Sequence, residues 1–386
     1  PITFVHRVNQ RFLNGTRLGK FGFFGGMFAL PLLVAFLFYL LYLFGSPHFL
    51  EANSGVVNWI ATTFKDFSWS HFWFVVMAGW ICVFVLRKSF VDIGVSEAEK
   101  YLRRERIRNT QSSTMGLRKE ALAGVILLVL LNAMLLVVNY IDINTVWFSF
   151  VVPKEFSLKQ FVHNGTWILS ICILLSMFIV IWFFRKNQNF YSKTIWLKRL
   201  SILWIVQNMI LAFSVFMRNY YYINWHGLAY GRIFVIVFLV VVMIALTMMI
   251  LKVRRKYSSG YFVRFNSWVA YAAMVACSFP NWDSWILDYN LKHDNIAQID
   301  FGYYQKLSGD LYPEIYKNQN NINQQLTAHR DNDQRWVHWA NEEEYWRIMN
   351  LKRDEYFREL VAQEWQSWTL NNRNSLEQIR VDISKK

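Results

Sequence analysis

Charge is missing where it would be most informative. No Asp, Glu, Lys, Arg or His lies near the middle of any long apolar stretch of this 386-residue chain. A charge at mid-membrane depth costs roughly 2.5–3.5 kcal/mol on insertion scales, so such groups are kept where transport chemistry needs them. Ion- and proton-coupled carriers place them beside broken helices, and that class is not expected here. Cysteine is scarce as well. Cys82, Cys172 and Cys277 all fall in apolar stretches, where a thiol behaves as a small hydrophobe, and the polar tail has none to pair. The eight histidines include no pair at i, i+3 or i+4, and HExxH and cysteine clusters are lacking. The weak exception is His329 and His338, with Asp331 and Asp333 nearby. No metal and no cofactor is expected. Walker, GxGxxG and GxSxG signatures are also missing, which argues against nucleotide binding and serine-nucleophile chemistry.

Apolar length is what the chain has instead. Stretches at 21–44, 71–86, 120–138, 165–184, 200–217, 230–251 and 265–280 approach the roughly 20 residues needed to cross hydrocarbon. The connections sharing the N-terminus's side carry 23 Lys and Arg; the opposite ones hold only Lys65, Lys154, Lys159 and Arg218. Positive charge stays cytoplasmic, so the reading is an all-α polytopic membrane protein with about seven transmembrane helices and the N-terminus inside. About 20 mixed residues precede the first run, which is too long for a signal core, so no cleaved leader is expected. Residues 1–280 form the bundle, and 281–386 a polar, mainly helical extracytoplasmic domain. The net charge of +15 sits in short loops beside spans, where topology and anionic headgroups account for it. Nucleic acid is not an expected partner; membrane lipids are.

Polar residues fall into three groups, and aromatic ones into a fourth. Ser96 and Glu99 form a capping box that opens a charged cytoplasmic helix. Asn132, Gln207 and Asn208 sit at membrane depth, where amides serve as interhelical glue or line a neutral-solute path. An outer-face cluster gathers Arg218, Asn219, Asn224, His226 and Arg232 from one hairpin, with Asp283, Asp288 and Asn290 after the seventh span. Its two arginines facing two aspartates suit bidentate pairing, either clamping the outer domain or holding a small ligand. In the tail, a helix over about 331–368 places Trp336, Trp339, Trp346, Met349, Phe357, Leu360, Val361, Trp365 and Trp368 mostly at three- and four-residue steps. This stripe either anchors a partner or folds onto the tail's own core.

The sequence Gly227-Leu228-Ala229-Tyr230-Gly231-Arg232 opens an apolar span. Asn281-Trp282-Asp283, Ile286 and Tyr289-Asn290 follow, then Ile299-Asp300-Phe301, Tyr304, Leu307-Ser308-Gly309-Asp310 and Pro313. In these residues the chain resembles an uncharacterised family of bacterial multi-spanning membrane proteins, frequent in Bacteroidota and catalogued as a domain of unknown function. The resemblance is strongest over roughly 215–320. It departs at Ala229, where the family has Thr, and at Trp285, where Ala or Leu is common. It implies a helical bundle in a Gram-negative inner membrane with a periplasmic tail, and no particular substrate. The leading functional expectation is a non-catalytic subunit or scaffold that engages other envelope or membrane proteins through the outer face and Trp-rich helix. The alternatives are a carrier or flippase for an uncharged or lipid-like solute, and an interfacial enzyme acting on lipid or glycan.

Overall fold

The structure is a computed structural model that describes residues 17–63, 114–148, 150, 158–184, 186–191, 194–293, 301–330, 342–362, 373–377 and 380. Among the described residues there are helices and no β-strand. In chain order they are α1 (Arg17–Gly45), α2 (Pro47–Ala52), α3 (Ser54–Thr63), α4 (Thr114–Asp142), α5 (Leu158–Phe183), α6 (Ile195–His226), α7 (Tyr230–Arg255) and α8 (Ser259–Ser278). The tail adds α9 (Trp282–Lys292), α10 (Phe301–Tyr304), α11 (Tyr312–Lys317), α12 (Gln319–Arg330) and α13 (Glu342–Ala362). A π-helical turn, Ile143–Trp147, continues α4, and a 3-10 turn, Lys186–Phe190, follows α5.

Among the described residues, four helices are long and apolar enough to cross a membrane: Arg118–Trp147, Phe161–Phe183, Ile195–His226 and Tyr230–Arg255. They contain the stretches expected at 120–138, 200–217 and 230–251 and nearly all of 165–184. Only 39% to 50% of their apolar windows is buried inside the protein, so half of each apolar surface faces outward. Without water to bond, a lipid-facing backbone must bond itself, and a helix does so.

Four of the seven expected spans are thus matched by candidate helices among the described residues. The first stretch lies in α1, which contains Pro31 and whose described apolar part is Leu30–Gly45. The second, 71–86, lies outside the described residues, as do Ser96 and Glu99. The seventh forms α8, a 20-residue helix that falls short of the apolar length and composition of a span. Arg264 and Asn266 inside it are the physical reason.

The chain divides into two compact units: Pro1–Arg218 with Phe238–Ala273, and Asn219–Val237 with Met274–Lys386. In the first, α1 packs on α4 and on α5. The interior holds Phe38, Tyr42, Leu131, Leu135, Leu169 and Trp204, all essentially inaccessible. In the second, Ile286, Leu287, Phe301, Tyr304, Tyr345 and Met349 build a separate core. Local signals start its helices. Asn281 caps α9 by accepting from the Ser284 amide at 3.2 Å, and Pro313 occupies the first turn of α11.

Candidate functional site: a buried charge pair and a bracketed turn

Arg218 is the largest surprise. Counted among loop charges in the sequence, it is 0% exposed. Its Nη2 donates to Asp142 Oδ1 at 2.7 Å, and Asp142 is equally inaccessible. Nη1 donates to the Gly45 carbonyl at 3.1 Å, one of the C-terminal oxygens of α1 that no helical amide reaches. Ser46 Oγ donates to the same Asp142 oxygen at 3.2 Å. The guanidinium lies 4.9 Å from the Phe161 ring centroid, a cation–π distance. A Cβ on Gly165 would stand 2.4 Å from Nη1 and 3.1 Å from the Gly45 carbonyl. Glycine is what lets α5 pass so close. One side chain thus ties together α1, α4 and α6, with α5 pressed against it. The π-helical turn begins right after Asp142, and such turns are frequent at functional sites.

The expectation that Arg218 pairs with Asp283 or Asp288 is corrected by this geometry. Asp142 was missed, although the sequence held a signal: it is the one acidic residue between Glu120 and Glu155. Gly45, Ser46 and Gly165 carry no such signal.

A row of amides occupies the same interior. Gln207 Nε2 donates to Asn132 Oδ1 at 2.9 Å. Asn132 Nδ2 reaches the carbonyls of Leu128 and Leu200, and Asn139 Nδ2 donates to the Gln207 carbonyl at 3.0 Å. Asn208 accepts from Ser176 Oγ at 2.6 Å and donates to the Trp204 carbonyl. Each of the three expected interhelical amides therefore bonds to a neighbouring helix. Hydrogen-bonding capacity is left over: Asn139 Oδ1, Gln207 Oε1, Asp142 Oδ2 and Arg218 Nε are buried and bond to no described atom.

The second unit treats the rest of the outer-face cluster differently. Gly227 has φ +81°, and a Cβ there would meet Asn290 Oδ1 at 2.6 Å, so this turn requires glycine. Asn290 brackets one residue, accepting from the Leu228 amide at 2.6 Å and donating to its carbonyl at 3.0 Å. Arg232 bonds the Gly227 carbonyl and lies over Tyr222 at 4.5 Å. Asn219 donates to the Arg232 carbonyl at 3.0 Å, and Tyr303 accepts from the Tyr230 amide at 3.0 Å. His226 packs on Tyr222, and Asp283 accepts from the Ser308 amide at 3.3 Å. Asp288 instead pairs on the exposed face of α9 with Lys292, and Asn224 is exposed. The cluster gathers at the turn in part only.

Among the expected partner-binding aromatics, Trp346 is buried at 8% exposure and donates to Asn323 Oδ1 at 2.6 Å. Of the two readings of the stripe, Trp346 takes the one in which it folds onto the tail's own core. Burying the indole against Tyr316 and Tyr345 removes more apolar area from water than an exposed helix face would. Phe357 is half-buried, while Trp336, Trp339, Trp365 and Trp368 lie outside the described residues. The surrounding tyrosines feel the same burial. It pushes Tyr316 up to about 12 and, with Asp310 adding to it, Tyr356 to about 12. Tyr304 and Tyr345 are raised further by burial.

Gly227, Arg232 and Asn290, which are among the residues that carry the family resemblance, thus build this turn. A family described as a domain of unknown function (DUF4153) matches residues 4–318. The chain belongs to that family. The match extends far upstream of 215–320 and takes in both the charge pair and the bracketed turn. Compared with curated proteins and with solved structures, the chain matches none.

Proposed function

We propose that this DUF4153 member is a non-catalytic integral membrane subunit or scaffold of a cell envelope. In this reading it crosses the inner membrane of a Gram-negative bacterium seven times, N-terminus inside, with the tail periplasmic. The observation that carries it is the engagement of Arg218, Asp142, Asn132, Gln207 and Asn208 in bonds between helices. Polar groups used this way fix a bundle, and a fixed bundle suits presentation of a folded tail. With Trp346 inside the tail's core, the partner surface falls to the large apolar side chains left outward there: Trp285, Leu351 and Val361, each 60% exposed or more. The partner is another envelope or membrane protein. Purification in mild detergent should recover it in stoichiometric yield, and Leu351→Asp with Val361→Asp should lose it while the chain still folds. A clean monomer from both would overturn the reading.

The second reading, a carrier for an uncharged or lipid-like solute, is favoured by the unused hydrogen-bonding capacity of Asn139 and Gln207 in the bundle. Replacing Asn132, Gln207 and Asn208 together by Leu should abolish transport at normal expression if they line a path. An unchanged cellular phenotype would assign them to packing.

A further inference from the structure

Two connections of the first unit carry positive charge alone. Residues 185–199 hold five Lys and Arg, residues 252–264 hold five more, and neither has an Asp or Glu. The fold brings them together: Lys256, held at a left-handed φ of 58°, places its ammonium 4.9 Å from the Phe190 ring centroid. Lys252 is buried and donates to Ser259 Oγ and the Tyr257 carbonyl. Arg254, Arg255 and Arg264 stay exposed, with no ion pair to any of the described residues. Among the described residues, these three arginines meet no counter-charge.

Arg264 also begins a groove. Arg264, Ser267, Trp268 and Tyr271 follow at i, i+3, i+4 and i+7 on α8, one stripe of a helix, and line a cavity of about 440 Å³. Trp268 and Tyr271 are 66% and 59% exposed and meet edge to face at 5.8 Å. On the whole of α8, Phe262 alone among its described side chains is buried. Among the described residues, a cation therefore sits at one end of an open, aromatic stripe on α8.

We propose that this groove is a binding site for an anionic phospholipid. The headgroup phosphate sits on the Arg264 guanidinium, within the field of the two basic connections, and an acyl chain lies along Ser267, Trp268 and Tyr271. Guanidinium matches phosphate through parallel N–H donors, and basic pockets beside membrane helices take anionic headgroups. A zwitterionic headgroup would leave the patch uncompensated. The proposal rests on α8 lying at the membrane.

The test uses the full chain in nanodiscs of phosphatidylcholine with or without phosphatidylglycerol. Quenching of Trp268 by brominated phosphatidylcholine, read as the signal lost in Trp268→Phe, reports whether α8 meets acyl chains. If it is absent, the membrane placement of α8 fails and the site with it. Lipid retained after detergent extraction, measured by native mass spectrometry, reports selectivity. Phosphatidylglycerol should be retained over phosphatidylcholine, and Arg264→Gln should lower that preference about fivefold, one cation's share. Arg264→Lys should lower it less. Ser267→Trp, which fills the groove and keeps every charge, should abolish retention. Equal retention of both lipids, or an unchanged Arg264→Gln, would overturn the proposal. So would displacement by inorganic phosphate with Ser267→Trp unaffected, since that marks a soluble-phosphate site.

Discussion

Arg218 and Arg232 flank one helical hairpin, yet the two units handle them by different chemistry. In the first unit the guanidinium is sealed from solvent and balanced by Asp142, charge against charge. In the second, Arg232 is half-buried and is met by a carbonyl and a tyrosine ring. The difference follows from solvent. An ion in a low-dielectric interior needs an opposite ion at contact, because uncompensated burial costs several kcal/mol; one with partial access to water needs only to be placed. The first unit is thus cross-linked by electrostatics and amides, and the second by aromatic burial and one asparagine bracket.

The comparison breaks most sharply at Asp142. Asp142→Ala leaves Arg218 buried without its counter-ion and should cost about 3–5 kcal/mol. The expected result is loss of monodisperse protein by size-exclusion chromatography in detergent. Asp142→Leu with Arg218→Met should recover most of it, since a buried pair replaced by apolar residues is often neutral. Gly165→Ala puts a methyl against Nη1 and should cost about 1–3 kcal/mol, visible as a lower thermal midpoint. In the second unit, Asn290→Ala unbonds the amide and carbonyl of Leu228, at about 1–3 kcal/mol. Limited proteolysis should then cut near Gly227 sooner, with the first unit intact.

The smallest effect is silent at neutral pH. The Tyr316 and Tyr356 hydroxyls are raised to about 12 from an ordinary 10.0, so burial favours their neutral forms. Their contribution to stability is complete below pH 10 and disappears as pH rises through the folded values near 12. Ultraviolet absorbance should show tyrosinate appearing late, together with unfolding of the second unit. Tyr316→Phe, which also removes its 2.6 Å bond to Asn350, should diminish that late step.

How much of this was legible depended on whether the signal was local. Four helices of membrane-crossing length could be read because apolar length is a property of a continuous segment. Asn132, Gln207 and Asn208 stood out because amides are rare at that depth. The charge pair was not legible, since no periodicity links residues 76 positions apart, and counting Lys and Arg by loop placed Arg218 with water-exposed cations. Gly165 matters through a neighbour's guanidinium, which no spacing reveals. Trp346 shows the limit of helical period: a stripe of aromatics reads alike whether it meets a partner or its own chain's core.

The Arg218 joint also bears on how the chain is made. The guanidinium that closes the end of α1 lies 173 residues beyond Gly45 and 76 beyond Asp142. At roughly 5–20 residues per second of synthesis, the carboxyl of Asp142 waits on the order of 4–15 s before its partner exists. During that interval it has no guanidinium to meet, and an unpaired carboxylate is held most cheaply in contact with water. The earlier helices α1, α4 and α5 are therefore made unfastened, and α6, arriving late, is what latches them.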